Sequence, residues 1–206
     1  MPVKYTAAEI GRKYDDVAPW YDRADVIAEK LIFRRKRRTW FQKARGDVLE
    51  VAVGTGQNLL HYPPECHITA VDVSDGMLRI ARQRARDADL DVQFGQMDAE
   101  HLDFPDAAFD TVTSSLSTCT FPDPIAALKE MKRVCRPDGR ILLFEHGRSS
   151  FGPAGWVQDR MAEGHARRIG CHWNREPQEF VRAAGLNLVS SRRSILGVLY
   201  LIEATP

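Results

Sequence analysis

Two carboxylates, Glu50 and Asp72, stand 22 residues apart on either side of a glycine turn at Gly54 and Gly56. Residues 48–53, Val-Leu-Glu-Val-Ala-Val, read as an extended apolar segment entering that turn, and a second apolar run closes on Asp72. Glycine lets the backbone approach a ligand closely where a helix N-terminus begins, so the arrangement is that of a nucleoside-cofactor pocket. A dinucleotide fingerprint would place a third glycine or small residue three positions beyond the second, where a pyrophosphate sits over the helix. The chain has Leu59 there. Glu50, four residues before Gly54, puts a carboxylate at the pocket entrance, which repels a pyrophosphate and suits a cationic ligand.

That charge favours S-adenosylmethionine. At these residues the chain resembles the class I S-adenosylmethionine-dependent methyltransferases, whose pattern is an acidic residue, Gly-x-Gly-x-Gly, then an acidic residue ending the second strand. Ala52 stands where the first glycine usually lies, which loosens the match without blocking the turn. The resemblance implies that Asp72 accepts the ribose hydroxyls, with Thr55 and Asn58 in the turn and Val73 beside Asp72 completing that wall. It also implies that Met77 covers the adenine, Asp98 takes its exocyclic amino group, and the Ala99 amide meets the ring. Ser115, with Ser114, ends the fourth run near the methionine part of the cofactor.

The elements that must position these residues alternate. Strand-like runs occupy about 47–53, 66–72, 91–95, 109–115 and 140–146, with helices beginning near Gln57, Asp75 and Pro124. Ser74 reads as an N-cap, and Arg136-Pro137-Asp138-Gly139 as a helix stop followed by a tight turn. Alternation of this kind predicts an α/β fold with a doubly wound sheet and ligands beyond the carboxyl ends of its strands. The terminal runs 186–192 and 195–204 predict a hairpin around Arg193 and Ser194. With the resemblance, which covers roughly 46–206, this gives a seven-stranded, mostly parallel sheet ending in an antiparallel pair. Residues 1–45 are expected to form a helical arm and lid on one domain, 46–206. The irregular insert after His146, with a short helix to about Glu163 and another over 177–184, is expected to serve as a lid as well.

The acceptor is less legible. Lys13 to Asp22, Lys-Tyr-Asp-Asp-Val-Ala-Pro-Trp-Tyr-Asp, resembles the aromatic-acidic segment that precedes the fold in quinone, phospholipid and related methyltransferases. Tyr14 and Tyr21 would cap the cofactor and exclude water from the transfer. Glu145-His146-Gly147 and Gly170-Cys171-His172 also resemble the small lipid- or thiol-directed enzymes. Ser-Leu-Ser-Thr-Cys-Thr-Phe after the fourth run lacks the Asn-Pro-Pro-Tyr tetrad of nucleic-acid amino-methylating enzymes, and Thr113–Phe121 offers no carboxylate for Mg²⁺. No metal is expected. Displacement at a sulfonium needs mainly alignment and a dry pocket. An ammonium acceptor must first lose a proton, for which His146 is best placed, with Tyr21, His165 and His172 behind it. Cys171 beside His172 reads as a buried thiol, because adjacent side chains point apart.

A 206-residue chain suffices for one domain with a full core. With 44% hydrophobic and 28% charged residues, and no apolar run near the roughly 20 residues of a membrane span, it reads as a soluble cytoplasmic protein. Cys66, Cys119, Cys135 and Cys171 lack Cys-x-x-Cys spacing, so reduced thiols are expected. Residues 1–46 hold 12 Lys/Arg against 6 Asp/Glu, the remainder 17 against 22. Much of the excess lies in Arg34-Arg35-Lys36-Arg37-Arg38, within a helix-forming stretch carrying Ile27, Leu31, Ile32, Trp40 and Phe41. Two readings stay open: an interfacial helix drawn to anionic lipid, which would make the protein peripheral to the membrane, or a solvated helix packed on the body. Nucleic acid is disfavoured by the acidic body. The expected function is methyl transfer to a small or amphipathic acceptor, best the amino group of phosphatidylethanolamine, then a small thiol or a quinone ring. The reading from another class is a non-catalytic membrane or protein adaptor.

Overall fold

A computed structural model describes residues 5–206, with the side chains of 24–28, 30 and 31 outside the described set. Ile27 and Leu31 of the arm's apolar series therefore lie outside the described residues. Strands β1 (Asp47–Val51), β2 (His67–Asp72), β3 (Val92–Gln96), β4 (Phe109–Ser115) and β5 (Cys135–His146) run parallel. β7 (Leu199–Thr205) lies antiparallel between β5 and β6 (Asn187–Ser194), giving one seven-stranded sheet in the order β3-β2-β1-β4-β5-β7-β6. The reversal of strand order between β1 and β4 opens the crevice in which open α/β sheets bind ligands.

Period-two alternation assigns each strand residue to a face. Leu49 and Val51 of β1 join the core built with α4 (Pro124–Val134) and α6 (Pro177–Ala183), which includes Leu128, Met131 and Val181. Val48 faces the other way, into the core formed with α2 (Arg34–Phe41) and α3 (Asp75–Asp87), among Trp40, Phe41, Leu78 and Ala81. Glu50 lies on the same face as Val48, which puts a carboxylate beneath α2. Covered on both faces, the central strands are buried continuously over residues 48–51 of β1 and 141–144 of β5.

The helix starts follow from their caps. The Ser74 hydroxyl accepts the Met77 amide at 3.1 Å. The Asp123 carboxylate accepts the amides of Ile125 and Ala126, with Pro124 in the first turn, where its missing N–H costs nothing.

Four local expectations are corrected. The helix placed near Gln57 is only a 3₁₀ turn, Leu59–His61, because Pro63 and Pro64 follow within one further turn and disfavour helical backbone at Tyr62. The sheet face this leaves open is covered by α2, whose Trp40 and Phe41 are buried. α4 does stop at Val134, but residues 136–139 form no tight turn. β5 begins at Cys135, and its pairing jumps from Phe109–Cys135 to Thr111–Arg140 across a bulge. The terminal hairpin turns at Ile195–Val198 rather than at Arg193 and Ser194, through left-handed Ile195, Leu196 and Gly197. The insert helix does not end near Glu163. It is α5, Gly152–Ile169, closed by left-handed Gly170 whose amide donates to the Ala166 carbonyl.

Candidate active site

The turn after β1 is built from left-handed backbone at Ala52 (φ 56°), Gly54 (φ 56°) and Gly56 (φ 79°). At Gly56 a Cβ would meet the Leu59 side chain at 2.8 Å and Ala81 at 3.2 Å, so this glycine lets the turn close on α3. At Gly54 a Cβ would meet nothing within 4 Å, and what it permits is the backbone conformation. Asp72, 8% exposed at the end of β2, binds the turn: its carboxylate accepts the Gly54 amide at 2.8 Å and the Ser74 amide at 2.9 Å. Burial raises its pKa to about 6 against the pull of these hydrogen bonds. Two amides leave further lone pairs on the carboxylate for ligand hydroxyls.

Helix α1 (Ala7–Ala28) straps this turn from above. Asp15 accepts the Ser74 hydroxyl at 2.6 Å and the Gly76 amide at 2.8 Å. Asp22 accepts the Thr55 hydroxyl at 2.7 Å and the Gln57 side-chain amide at 2.9 Å, and pairs with Arg84. Gly76 permits the approach, since a Cβ there would stand 3.0 Å from the Asp15 Cα. Tyr14 and Tyr21, seven residues apart and so on one helix face, bring their rings to 6.2 Å over the crevice. Burial pushes the Tyr14 phenol well above its usual range.

One cavity gathers Tyr14, Tyr21, Gly54, Thr55, Asn58, Asp72, Val73, Met77, Asp98, Ala99 and Ser115. Arg37 lines it too, a residue that residue order alone does not separate from its basic neighbours. Arg37 is 5% exposed, whereas Arg34, Arg35 and Arg38 are exposed. Its guanidinium donates to the Asn58 side-chain oxygen at 2.7 Å and to the Ser115 hydroxyl at 2.5 Å, pairs with Glu29 at 3.0 Å, and lies 4.9 Å from the Phe144 ring centre.

Glu50 is not at the entrance where the sequence places it. It is fully buried behind the cavity wall, where its carboxylate accepts the Asn58 amide at 2.6 Å and the Tyr62 hydroxyl at 3.0 Å. Burial lifts its pKa to about 7. Its work is to orient Asn58, which in turn holds Arg37. Gly56 likewise lies behind the lining.

A second cavity of about 570 Å³ adjoins the first and shares Tyr14, Tyr21 and Leu116 with it. Val17, Trp20, Phe33, Ile169, Trp173 and Val198 make it apolar, and His146 from the end of β5 reaches it. His165 also lines it but lies flat on Trp173, ring centres 4.4 Å apart. Segment 171–175 is sewn to the loop after β4: the His172 amide donates to the Cys119 carbonyl at 2.9 Å, and Arg175 to the carbonyls of Thr118 and Phe121 at 2.8 Å. The same loop is held by Glu145, fully buried, which accepts the amides of Ser117 and Thr118. Cys171 turns to His146 rather than to His172, with Sγ and Nε2 3.4 Å apart. A hydrogen bond from Cys119 and the nearby imidazole pull its thiol down, while Cys119 is pushed up.

A buried carboxylate and a buried guanidinium lining one crevice match a ligand that carries sugar hydroxyls and a carboxylate, which is the form of S-adenosylmethionine. Sheet order and site thus define a nucleoside-binding α/β domain of the methyltransferase type.

Comparison with known proteins agrees. Residues 49–143 match the family model described as a methyltransferase domain. The chain is 32% identical over 212 aligned residues to the mitochondrial methyltransferase OMS1 of Saccharomyces cerevisiae, covering 93% of this chain and 45% of that protein. It is 38% identical over 131 residues to a phosphatidylethanolamine N-methyltransferase of Cereibacter sphaeroides (62% of this chain, 64% of that protein). To a demethylmenaquinone methyltransferase of Renibacterium salmoninarum it is 35% identical over 150 residues (70% and 62%). The chain thus spans between about half and two thirds of the length of these relatives. A solved SAM-dependent methyltransferase from Thermotoga maritima superposes with a TM-score of 0.72 at 20% identity, over 95% of this chain and 99% of that one, a likeness of fold. The chain belongs to the class I S-adenosylmethionine-dependent methyltransferases.

Proposed function

We propose that this protein methylates the amino headgroup of phosphatidylethanolamine. The observation that carries the reading is the apolar cavity beside the cofactor crevice, shaped for an amphipathic acceptor and reached by His146. S-adenosylmethionine supplies the activated methyl when bound. The chain's part is to hold it, with Asp72 for the ribose and Arg37 for the amino-acid carboxylate, and to keep water out with Tyr14 and Tyr21. His146 takes the proton that an ammonium headgroup must lose before its nitrogen can attack.

A lipid acceptor has to be met at a surface. Trp20, which lines the acceptor cavity, is 63% exposed, and α5 and the β6–β7 turn expose Trp156, Val157, Met161 and Leu196. Arg34, Arg35 and Arg38 stand in solvent on α2. This combination of exposed aromatic side chains and cations supports docking on an anionic bilayer. Among the described residues no helix is long and apolar enough to cross a membrane. The similarity to the Cereibacter sphaeroides enzyme supports the same acceptor.

The test is transfer from radiolabelled S-adenosylmethionine to vesicles of phosphatidylethanolamine and phosphatidylglycerol, beside soluble thiol and quinol acceptors. The expected result is label in mono- and dimethylated lipid. Label only in the thiol or only in the quinol would overturn the acceptor assignment, and no transfer to any acceptor would favour the adaptor reading.

A further inference from the structure

Outside the cofactor crevice, one group of side chains has a composition unlike its surroundings. Cys119 from the loop after β4, His146 from the end of β5 and Cys171 from the segment after α5 converge on the wall of the acceptor cavity. Their two Sγ atoms and one ring nitrogen all lie within 4.8 Å of one another.

We propose that Cys119, His146 and Cys171 form a three-ligand site for a thiophilic d¹⁰ cation of the Zn²⁺ class. Two sulfurs and one imidazole nitrogen are the donors such an ion selects, and Mg²⁺ or Ca²⁺ would not compete for them. The sulfur–nitrogen spacing of Cys171 and His146 fits. With Zn–S near 2.3 Å and Zn–N near 2.0 Å, a tetrahedral centre holds sulfur and nitrogen roughly 3.5 Å apart. The Cys171 Sγ to His146 Nε2 distance is 3.4 Å before any ion is placed.

The supports are firm. His146 is the last residue of a central strand. Cys171 precedes the segment tied to the Cys119 loop by the His172 amide and the Arg175 guanidinium, so the sulfur-bearing segments are braced against each other. Cys119 and Cys171 are 1% and 5% exposed, which limits hydration of the ion. Arg175 is the nearby cation, and its guanidinium is taken up by the Thr118 and Phe121 carbonyls. The Cys119 thiol now lies 3.6 Å from the Leu116 carbonyl and would exchange that contact for the ion.

Three protein ligands leave a fourth position, as in zinc sites that keep one place for water or substrate, and all three residues line the cavity from which either would come. The site does not depend on the acceptor being a phospholipid. Occupancy would, however, take the His146 Nε2 lone pair, so the loaded protein could not use that atom as a base. Metal binding and proton removal at His146 exclude each other.

The experiment is a titration of the purified, chelator-treated full chain with Co²⁺ under a non-thiol reductant, followed by displacement with Zn²⁺. A thiolate-to-cobalt charge-transfer band saturating at one equivalent and lost on adding Zn²⁺ is expected. Cys135→Ser should keep the band. Cys119→Ser and Cys171→Ser should weaken binding by more than the roughly 10- to 100-fold that loss of an outer-shell contact costs. Unfolding midpoints identify a variant that has merely failed to fold, and X-ray absorption on the Zn²⁺-loaded wild type should then show two sulfurs and one imidazole nitrogen. No band in the wild type, a band that titrates in Cys171→Ser with the wild-type affinity, an all-oxygen shell, or only a Cys119–Cys171 disulfide when the reductant is omitted would overturn the proposal.

Discussion

The affinity for cofactor should depend on pH through Asp72. Without ligand, burial holds this carboxyl at about 6, well above the ordinary 3.8. In the proposed site the ribose hydroxyls would donate to the ionised carboxylate, so binding would favour the charged form and return the pKa toward its usual range. The sign follows: affinity rises as pH rises through about 6 and falls below it. At pH 5 about one unliganded molecule in eleven carries Asp72 ionised, so the dissociation constant should be about tenfold weaker there than at pH 7.5. The full coupling, were the bound pKa to return all the way, is about 3 kcal/mol. Calorimetric titration with S-adenosylhomocysteine from pH 5 to 7.5 measures this directly. Asp72→Asn should flatten the profile and cost about 1–3 kcal/mol at pH 7.5, because it removes the charge and sets an amide donor where the Gly54 and Ser74 amides need an acceptor. A wild-type profile flat over this range, or an Asp72→Asn variant that binds as tightly as the wild type at pH 7.5, would refute the reasoning.

Ala52 carries a side chain in left-handed backbone, a conformation that costs about 1 kcal/mol without glycine's freedom. Ala52→Gly should therefore raise stability by up to about 1 kcal/mol in urea unfolding, the gain being trimmed by the looser unfolded chain. Arg37→Ala should weaken binding of S-adenosylhomocysteine by about 1.5–3 kcal/mol, the range for a hydrogen bond to a charged group. It should weaken adenosine, which has no carboxylate, far less, and equal losses for the two ligands would remove Arg37 from the amino-acid end.

Much of the scaffold was readable from residue order because its signals are local. The runs ending at Asp72 and Ser115 fix where β2 and β4 stop, and the Ser74 hydroxyl and Asp72 carboxylate act within a few residues of themselves. Glycine positions in the turn follow the same logic. The role of Glu50 was misplaced because period-two alternation told its face but not what covers that face, and α2 covers it. That covering was hidden in turn by composition: five consecutive cations read as a stripe facing either solvent or anionic lipid, while the helix turns Arg37 inward beside Phe144. The meeting of Cys119, His146 and Cys171 has no sequence signature, since 27 and 25 residues separate them and the bracing runs through main-chain carbonyls of Cys119, Thr118 and Phe121. The acceptor cavity is hard to read for the same reason: only its α1 wall carries a contiguous segment, Lys13 to Asp22, and the rest is assembled from the loop after β4 and α5.

The central claim is that α1 closes a crevice with Asp72 at its sugar end and Arg37 at its amino-acid end. A crystal structure of the complex with S-adenosylhomocysteine tests it most directly. The account predicts ribose hydroxyls on the Asp72 carboxylate, adenine between Met77 and the Asp98–Ala99 turn, and the homocysteine carboxylate on Arg37 beneath Tyr14 and Tyr21. Ligand bound outside this crevice, or bound within it in the reverse sense with adenine at Arg37, would contradict it.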